Sequence, residues 1–477
     1  MQSRWSLIVV LVAAACSGPR GQPDTILASP DQRHLVRRAA TTARSIEVAS
    51  GLEVARADAL APQHPASFSA NGAVLVLRSL AGHAVALRVA GGAAADLGEA
   101  IDLGTASPDG SLVAFLKNKA PCPEDPAGRH QLCGELFVAG SEGGAAVRVA
   151  GGIRLLNDPD GSVLPTSKFD SYQFAGNRTL VFSASDGALR SVPADGSAAP
   201  VLLAPGLGRS PGNVPVAPIW TLTPDGGRVF FTDYRGLSLV DAAGGTPLLF
   251  DHSQSHVPGC GPDDRCAFSP DGKTVALISE RTDAGQYTLK LAPLAGGPAR
   301  AYAASRDLAH FDQDNRLTFI DAAGTFSVIE PTGEVRSLGA SLPGEGLGAF
   351  SPDGRSLALL RPDHVGQHVN YLYLRFVSTA TGASWQPVDA HGPLPIWNFG
   401  FSPDSSRLFL IGQVKRTNSA KTDQGGDLSV APAAGGQLRL IEKDVDAAVW
   451  AGSEHLVVQR YYESNGLPAG TWVVAVE

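Results

Sequence analysis

Five histidines could carry metal or proton chemistry: His252, His256, His364, His368 and His391. Imidazole is the commonest metal ligand and titrates near neutral pH. His252 and His256 are four apart, as are His364 and His368. That spacing aims two rings at one ion only on a helix. Here the neighbours are Ser, Pro, Gly, Asp and Gln, the residues of loops. The pairs therefore read as solvated loop histidines, and no metal site is assigned. Asp158-Pro159-Asp160-Gly161 begins like a calcium loop but lacks the third acidic ligand and the terminal Glu. It reads as a turn. Gly208-Arg209-Ser210-Pro211-Gly212 fits the G-x-S-x-G nucleophile pattern. That chemistry needs a helix after the serine, and Pro211, Pro215 and Pro218 forbid one. No catalytic residue and no cofactor is assigned. Pro218-Ile219-Trp220 and Pro395-Ile396-Trp397 form a near-repeat. Their indoles could stack on a sugar or peptide, or pack between elements of the fold. Trp220, Trp397 and the five histidines make up the ligand-binding candidates.

The elements that must position these residues are set by a recurring turn. In Phe268-Ser269-Pro270-Asp271-Gly272, Pro presets φ for a type I turn and Gly takes the positive φ at its exit. The run Thr274 to Ile278 is apolar without clean alternation. It reads as a strand covered on both faces. Copies occur at Ser107-Pro108-Asp109-Gly110, Thr223-Pro224-Asp225-Gly226, Ser351-Pro352-Asp353-Gly354 and Ser402-Pro403-Asp404. Weaker copies stand at Ser29, Ser69, Ala175, Asp312 and Ala451. Ten units recur about every 47 residues, near the roughly 40–50 of a four-stranded propeller blade. Double glycines at 91–92, 151–152, 244–245, 296–297 and 435–436 supply positive φ for a second hairpin in each unit. The expected unit is four strands, a to d, with the Ser-Pro-Asp-Gly turn joining a to b and the glycine pair joining c to d.

This repeat resembles the WD40-like repeat of the TolB β-propeller family, also found in tricorn-type proteases and prolyl oligopeptidase propellers. The resemblance implies an all-β propeller over residues 29–477. One large ring is favoured and two smaller rings are the alternative, with Ala204 to Pro218 the best place for a break. Residues Thr25 to Ala28 are expected to complete the last blade. In such a fold the a–b and c–d turns share one face, and the b–c and d–a loops the other. Here the second face takes the irregular segments, including Asp363 to Asn370, Asp389 to Pro395 and Lys415 to Gly426. The peptidase relatives keep their catalytic residues in a domain this sequence does not show, so none is carried over.

Residues 1–16 have a short positive region at Arg4, an apolar run from Leu7 to Val12, and Ala13-Ala14-Ala15 before Cys16. This resembles a bacterial lipoprotein signal with Cys16 as the lipidated residue. Residues 17–28 read as a tether. The remaining cysteines form two close pairs, Cys122 with Cys133 and Cys260 with Cys266. Local disulfides in an oxidising compartment are expected. The net charge of −8 and the absence of a basic stripe argue against nucleic acid. The sequence thus reads as an exported, lipid-anchored, non-catalytic propeller of the outer membrane. Its expected partner is a protein or peptide of the cell envelope, with the membrane reached through the lipid alone. A propeller enzyme or carbohydrate-binding protein with a site at the channel mouth is the alternative.

Overall fold

The computed structural model describes residues 25–30, 33–39, 41–47, 50, 52–61, 66–102, 104–123, 132–155, 172–207, 218, 220–233, 236–251, 266–278, 287–340, 342, 345–365, 368–389, 392–393, 396–412, 426–460 and 470–476. Among the described residues every regular element is a β-strand. None is a helix long and apolar enough to cross a membrane. The chain divides into two compact units, 1–260 and 261–477. The boundary lies just before Cys266, whereas Ala204 to Pro218 is the segment named above for a break if there are two rings.

The first unit holds five sheets in chain order, antiparallel except that Gly92–Ala93 adds to the first as a short parallel fifth strand beside Glu53–Ala57. Each runs a-b-c-d: Thr25–Ala28 to Glu53–Ala57, Ser67–Phe68 to Ala95–Glu99, Thr105–Ala106 to Val147–Arg154, Tyr172–Ala175 to Val201–Ala204, and Trp220–Leu222 to Leu248–Asp251. The second unit repeats the pattern with two fusions. Arg300–Phe311 is the d strand of one repeat and the a strand of the next, with a register shift between Ala304 and Ala309. Leu372 pairs with Ile396 and joins the two following repeats. The last sheet is Ala447–Ala451, His455–Arg460 and Gly470–Ala475. This is the all-β repeat of a propeller, and each of the ten turns read in the sequence joins the first two strands of a repeat.

Four expectations need correction. Thr25–Ala28 pairs with His34–Ala39 as strand a of the first sheet, so it does not complete the last one, and the sheet begins inside the expected tether. Gly151-Gly152 lies within strand Val147–Arg154, where the pairing is bulged. The c–d turn there is made by Gly143 and Gly144, both at positive φ. Asp363 to Asn370 is not an open loop, because Ser356–Val365 and His368–Ser378 stay paired to Val365↔His368. Inside Asp389 to Pro395, Val388–Asp389 pairs with Gly392–Pro393.

The b strands are buried on both faces, as their continuous apolar runs require. Val275, Ala276, Leu277 and Ile278 are all buried, as are Leu408 to Ile411. Successive sheets stack face to face and share cores. Leu116 and Leu136 pack with Phe174 and Phe182 of the next sheet, and Leu189 and Leu203 with Val229 and Phe231. In the second unit Phe409 and Leu428 pack with Trp450 and Leu456. Each such side chain contributes roughly 1.5–3 kcal/mol by leaving water.

The turns are held by side chains. Ser269 Oγ donates to Asp271 Oδ1 at 2.7 Å and accepts the Thr274 amide at 2.9 Å. The Lys273 amide donates to the same Asp271 oxygen at 3.0 Å. Ser107–Asp109, Thr223–Asp225, Ser351–Asp353 and Ser402–Asp404 repeat the hydroxyl-to-carboxylate bond at 2.6–2.7 Å. Adjacent turns are also stitched together. The Asp271 amide donates to Asn315 Oδ1 at 3.0 Å, and the Asp353 amide to Ser405 Oγ at 2.9 Å. Asn315 and Ser405 stand where the consensus has Gly, at φ of 61° and 62°. The Asp109 amide likewise donates to Asn177 Oδ1 at 3.0 Å.

Where Gly is kept, its reasons differ by site. A Cβ on Gly354 would fall 2.0 Å from Asp312 Cβ of the preceding turn, whereas one on Gly272 would meet nothing within 4 Å. Both have positive φ. Gly272→Ala is therefore expected to cost about 1–2 kcal/mol, the left-handed penalty alone. Gly354→Ala should cost at least about 1 kcal/mol more, because the turns must separate. Urea unfolding of the two variants checks the order.

Candidate functional site

In each unit the longest connections between described strands leave from one end of the sheets. In the first unit the stretches after Pro121, Leu155 and Gly206 are b–c or d–a connections. In the second, residues 279–286, 413–425 and 461–469 are b–c connections. The a–b and c–d connections are tight turns throughout. The divide follows from the chemistry above: Ser, Asp and Gly saturate the turn end with local hydrogen bonds.

Two connections at the loop end are ordered by covalent or ladder bonds. Cys122 and Cys133 form a disulfide across the hairpin of Leu112–Pro121 and Leu132–Gly140. Both cysteines are buried. Cys266 is also disulfide-bonded; its expected partner Cys260 lies outside the described residues. Cys16 lies outside them as well.

The predicted site residues are placed as follows. Trp220 opens strand Trp220–Leu222. It is half-buried against the core shared with the preceding sheet, and its Nε1 donates to Ser183 Oγ at 3.0 Å. Trp397 lies in strand Ile396–Phe401 at the corresponding start of its repeat. His364 and His368 fall on facing strands at the tip of the long hairpin, with registers His364↔Val369 and Val365↔His368. His252, His256 and His391 lie outside the described residues. Among the described residues no group of three His, Cys, Asp or Glu could hold a metal. Two other tryptophans act between sheets. Trp450 Nε1 donates to Gly400 O at 2.9 Å, and Trp385 Nε1 to Ala433 O at 3.3 Å with its ring stacked on Phe376.

Two titratable residues escaped sequence reading. Asp102 sits in a d–a connection, at the loop end. Its Oδ1 accepts the Leu116 amide at 2.8 Å, and its Oδ2 accepts the Tyr172 hydroxyl from the next sheet. Burial pushes this carboxyl up to about 6, against the opposing effect of those hydrogen bonds and of Arg78. His310 stacks on Phe350 with centroids 4.1 Å apart. Burial pushes its imidazole down to about 4, so it is neutral near pH 7. Neither stands in a recognisable pattern; each is a single polar residue whose neighbours come from another sheet.

Among solved structures the chain is similar to a crystal structure of the eukaryotic initiation factor. The TM-score is 0.51 at 12% identity, covering 84% of this chain and 96% of that one. Dipeptidyl peptidase 4 from Porphyromonas gingivalis gives a TM-score of 0.47 at 10% identity, covering 94% of this chain and 65% of that one. A putative TolB from Agrobacterium tumefaciens gives 0.27 at 15%, covering 55% and 90%. At 12% identity the likeness to the first of these is one of fold alone. No protein-family model matches the sequence, and no curated protein matches it.

Asp102 makes the loop end sensitive to pH. Its folded pKa lies above the unfolded value, so its contribution to stability is fully present below about pH 4 and is lost as pH rises through about 6. Asp102→Asn keeps an acceptor for the Leu116 amide and removes the buried charge. The variant is expected to be more stable than the parent by roughly 1–3 kcal/mol above pH 6, with the gain vanishing near pH 4. Melting temperatures across pH 4–8 check this. A gain that does not change with pH contradicts it.

Proposed function

We propose that the chain is an exported, lipid-anchored β-propeller that docks a protein or peptide of the bacterial cell envelope on the loop-bearing end of its sheets, without catalysis. The observation that carries this reading is the division of connections. Variable segments on a rigid scaffold are where binding usually lives. Among the described strands the longest connections leave from one end, while the turn end uses its polar groups on itself. The Cys122–Cys133 disulfide supports an oxidising, extracytoplasmic compartment. The repeats suit closure into one ring or two smaller ones, with residues 1–16 as signal, 17–28 as the tether up to the first strand, and 29–477 as propeller. Cys16 would carry the lipid and hold the protein at the outer membrane. Trp220, Trp397 and the histidines at 252, 256, 364, 368 and 391 are the ligand-facing candidates on this end.

The anchor and the docking face are tested separately. Cys16→Ala is expected to abolish palmitate labelling and to move the protein from the membrane to the soluble fraction. Unchanged labelling and fractionation reject the anchor. For the face, a photo-crosslinking residue is placed at Lys415 or at Lys273 in otherwise unaltered cells. Crosslinks to an envelope protein from Lys415 and not from Lys273 are expected. Crosslinks from Lys273 alone, or from neither, reject docking on the loop end.

A further inference from the structure

The hairpin of Ser356–Val365 and His368–Ser378 outreaches the sheet before it in the chain. Its Leu357, Leu359 and Val377 pack with Ile320, Phe326 and Leu338 of that sheet. Side chains alternate along a strand, so Arg361, Tyr373 and Arg375 lie on the same face. Arg375 Nη2 donates to Ala340 O at 3.2 Å, the last residue of strand Val335–Ala340. Arg361 pairs with Tyr373 one step nearer the tip on this face, past the end of the neighbouring sheet. That sheet closes low: Leu317–Asp321 and Thr325–Ile329 are joined by a tight turn, the Gly324 amide donating to Asp321 O at 2.9 Å. The result is a shelf at the loop end, walled on one side by the hairpin.

Two guanidinium groups share one carboxylate on this shelf. Glu345 is buried. Its Oε1 accepts Arg375 Nε at 2.9 Å, and its Oε2 accepts Arg375 Nη2 at 2.6 Å and the Leu342 amide at 2.8 Å. Burial would raise this carboxyl, but those hydrogen bonds and the charges of Arg375 and Arg361 hold it below its usual range. Arg361 therefore feels a carboxylate whose oxygens are already taken. Among the described residues Arg361 has no ion pair of its own. It is half-buried, with its guanidinium over the Tyr373 ring at 5.2 Å from the centroid. Stacking uses the face of a guanidinium and leaves its N–H edge to an acceptor. Asp321 does not supply one, since its Oδ1 accepts the Ala323 and Thr325 amides at 2.9 Å and its Oδ2 the Ser327 hydroxyl at 3.2 Å. Leu342, tied to the same Glu345, is 45% exposed.

We propose that this shelf binds a carboxylate side chain of a partner protein at the N–H edge of Arg361, with a neighbouring apolar side chain laid on Leu342. The occupant is an extended segment holding Asp or Glu beside an apolar residue. It supplies the second carboxylate that the two arginines lack, and a charge-assisted pair in a half-buried place is among the stronger polar contacts. The inference rests on the docking reading above and names the partner chemistry for one part of that end.

The test uses the full chain, disulfides intact, and dye-labelled hexapeptides of glycine and serine, blocked at both ends, with Asp-Leu or Asn-Leu at the centre. Fluorescence polarisation is expected to show the Asp peptide binding at least about tenfold more tightly than the Asn peptide. Arg361→Gln should erase that difference at an unchanged melting temperature, and Arg361→Lys should keep part of it. Equal binding of the two peptides, or binding of neither, overturns the proposal. So does an Arg361→Gln variant that binds as the parent does, or one that melts lower, because the charge is then spent inside the fold. A free chain that is a dimer and is dissociated by Arg361→Gln also overturns it, the carboxylate then coming from a second copy. Crosslinking from Lys415 in the Arg361→Gln variant reports docking separately. Crosslinks kept there while both peptides fail reject the shelf and leave the docking reading standing.

Discussion

The hydroxyl-to-carboxylate bond inside the Ser-Pro-Asp-Gly turn is the interaction on which the rest depends. One serine oxygen serves two groups: it donates to the Asp two residues on and accepts the amide five residues on. The Asp in turn accepts the amide two residues beyond itself. The turn therefore closes with its polar groups satisfied, although Ser107, Ser269, Ser351 and Ser402 are fully buried. A buried hydroxyl left without a partner would cost about 1–3 kcal/mol. Because the hydroxyl is satisfied locally, strands a and b can both turn apolar faces inward directly beside it.

The departures from the consensus turn are as informative as the matches. Asn315 and Ser405 replace the glycine, keep its left-handed backbone and extend a side chain to the preceding turn. Gln313 reaches the Pro352 carbonyl in the other direction. Asn71 does the same toward Asp109 O at 2.8 Å. So a position that reads as a weak copy in one dimension is a link between sheets in three. Gly354 and Gly226 show the complementary solution, in which the missing side chain lets neighbouring turns touch.

The strand order and the burial of the b strands were legible because both rest on local signals: turn residues at fixed offsets and unbroken apolar runs. The errors came where a local signal had two readings. Gly151-Gly152 looks like every other glycine pair, yet Gly143-Gly144 lies eight residues earlier and takes the turn, leaving the second pair to a bulge. The histidine pair at 364 and 368 sits among loop-forming residues, but the flanking Leu357 to Leu360 and Tyr371 to Phe376 extend the hairpin past them. The division at residue 260 has no compositional mark that outweighs the Pro/Gly-rich stretch at 204–218. Asp102 was unreadable for a different reason: its environment is made by Tyr172, seventy residues away.

The two ends of the sheets also differ in how they answer acid. At the turn end, burial of Asp109, Asp225, Asp271 and Asp404 would raise their carboxyls, but the Ser or Thr hydroxyl and the backbone amides outweigh it and hold them below the usual range. Their stabilisation is present above about pH 4 and fades below it. His310 acts in the same direction: its lowered pKa means stability present above about 6.5 and lost as pH falls toward 4. Asp102 opposes both, since it destabilises the fold only once ionised. A carboxylate whose acceptors are already filled by its own turn has little left for a ligand. Asp102 is also filled, but by the Leu116 amide and the Tyr172 hydroxyl rather than by its own turn, and burial outweighs those two bonds. The same physical rule, that polar groups must be satisfied before they are buried, thus accounts for both the Ser-Pro-Asp-Gly turns and Asp102, with local partners in the first case and distant ones in the second.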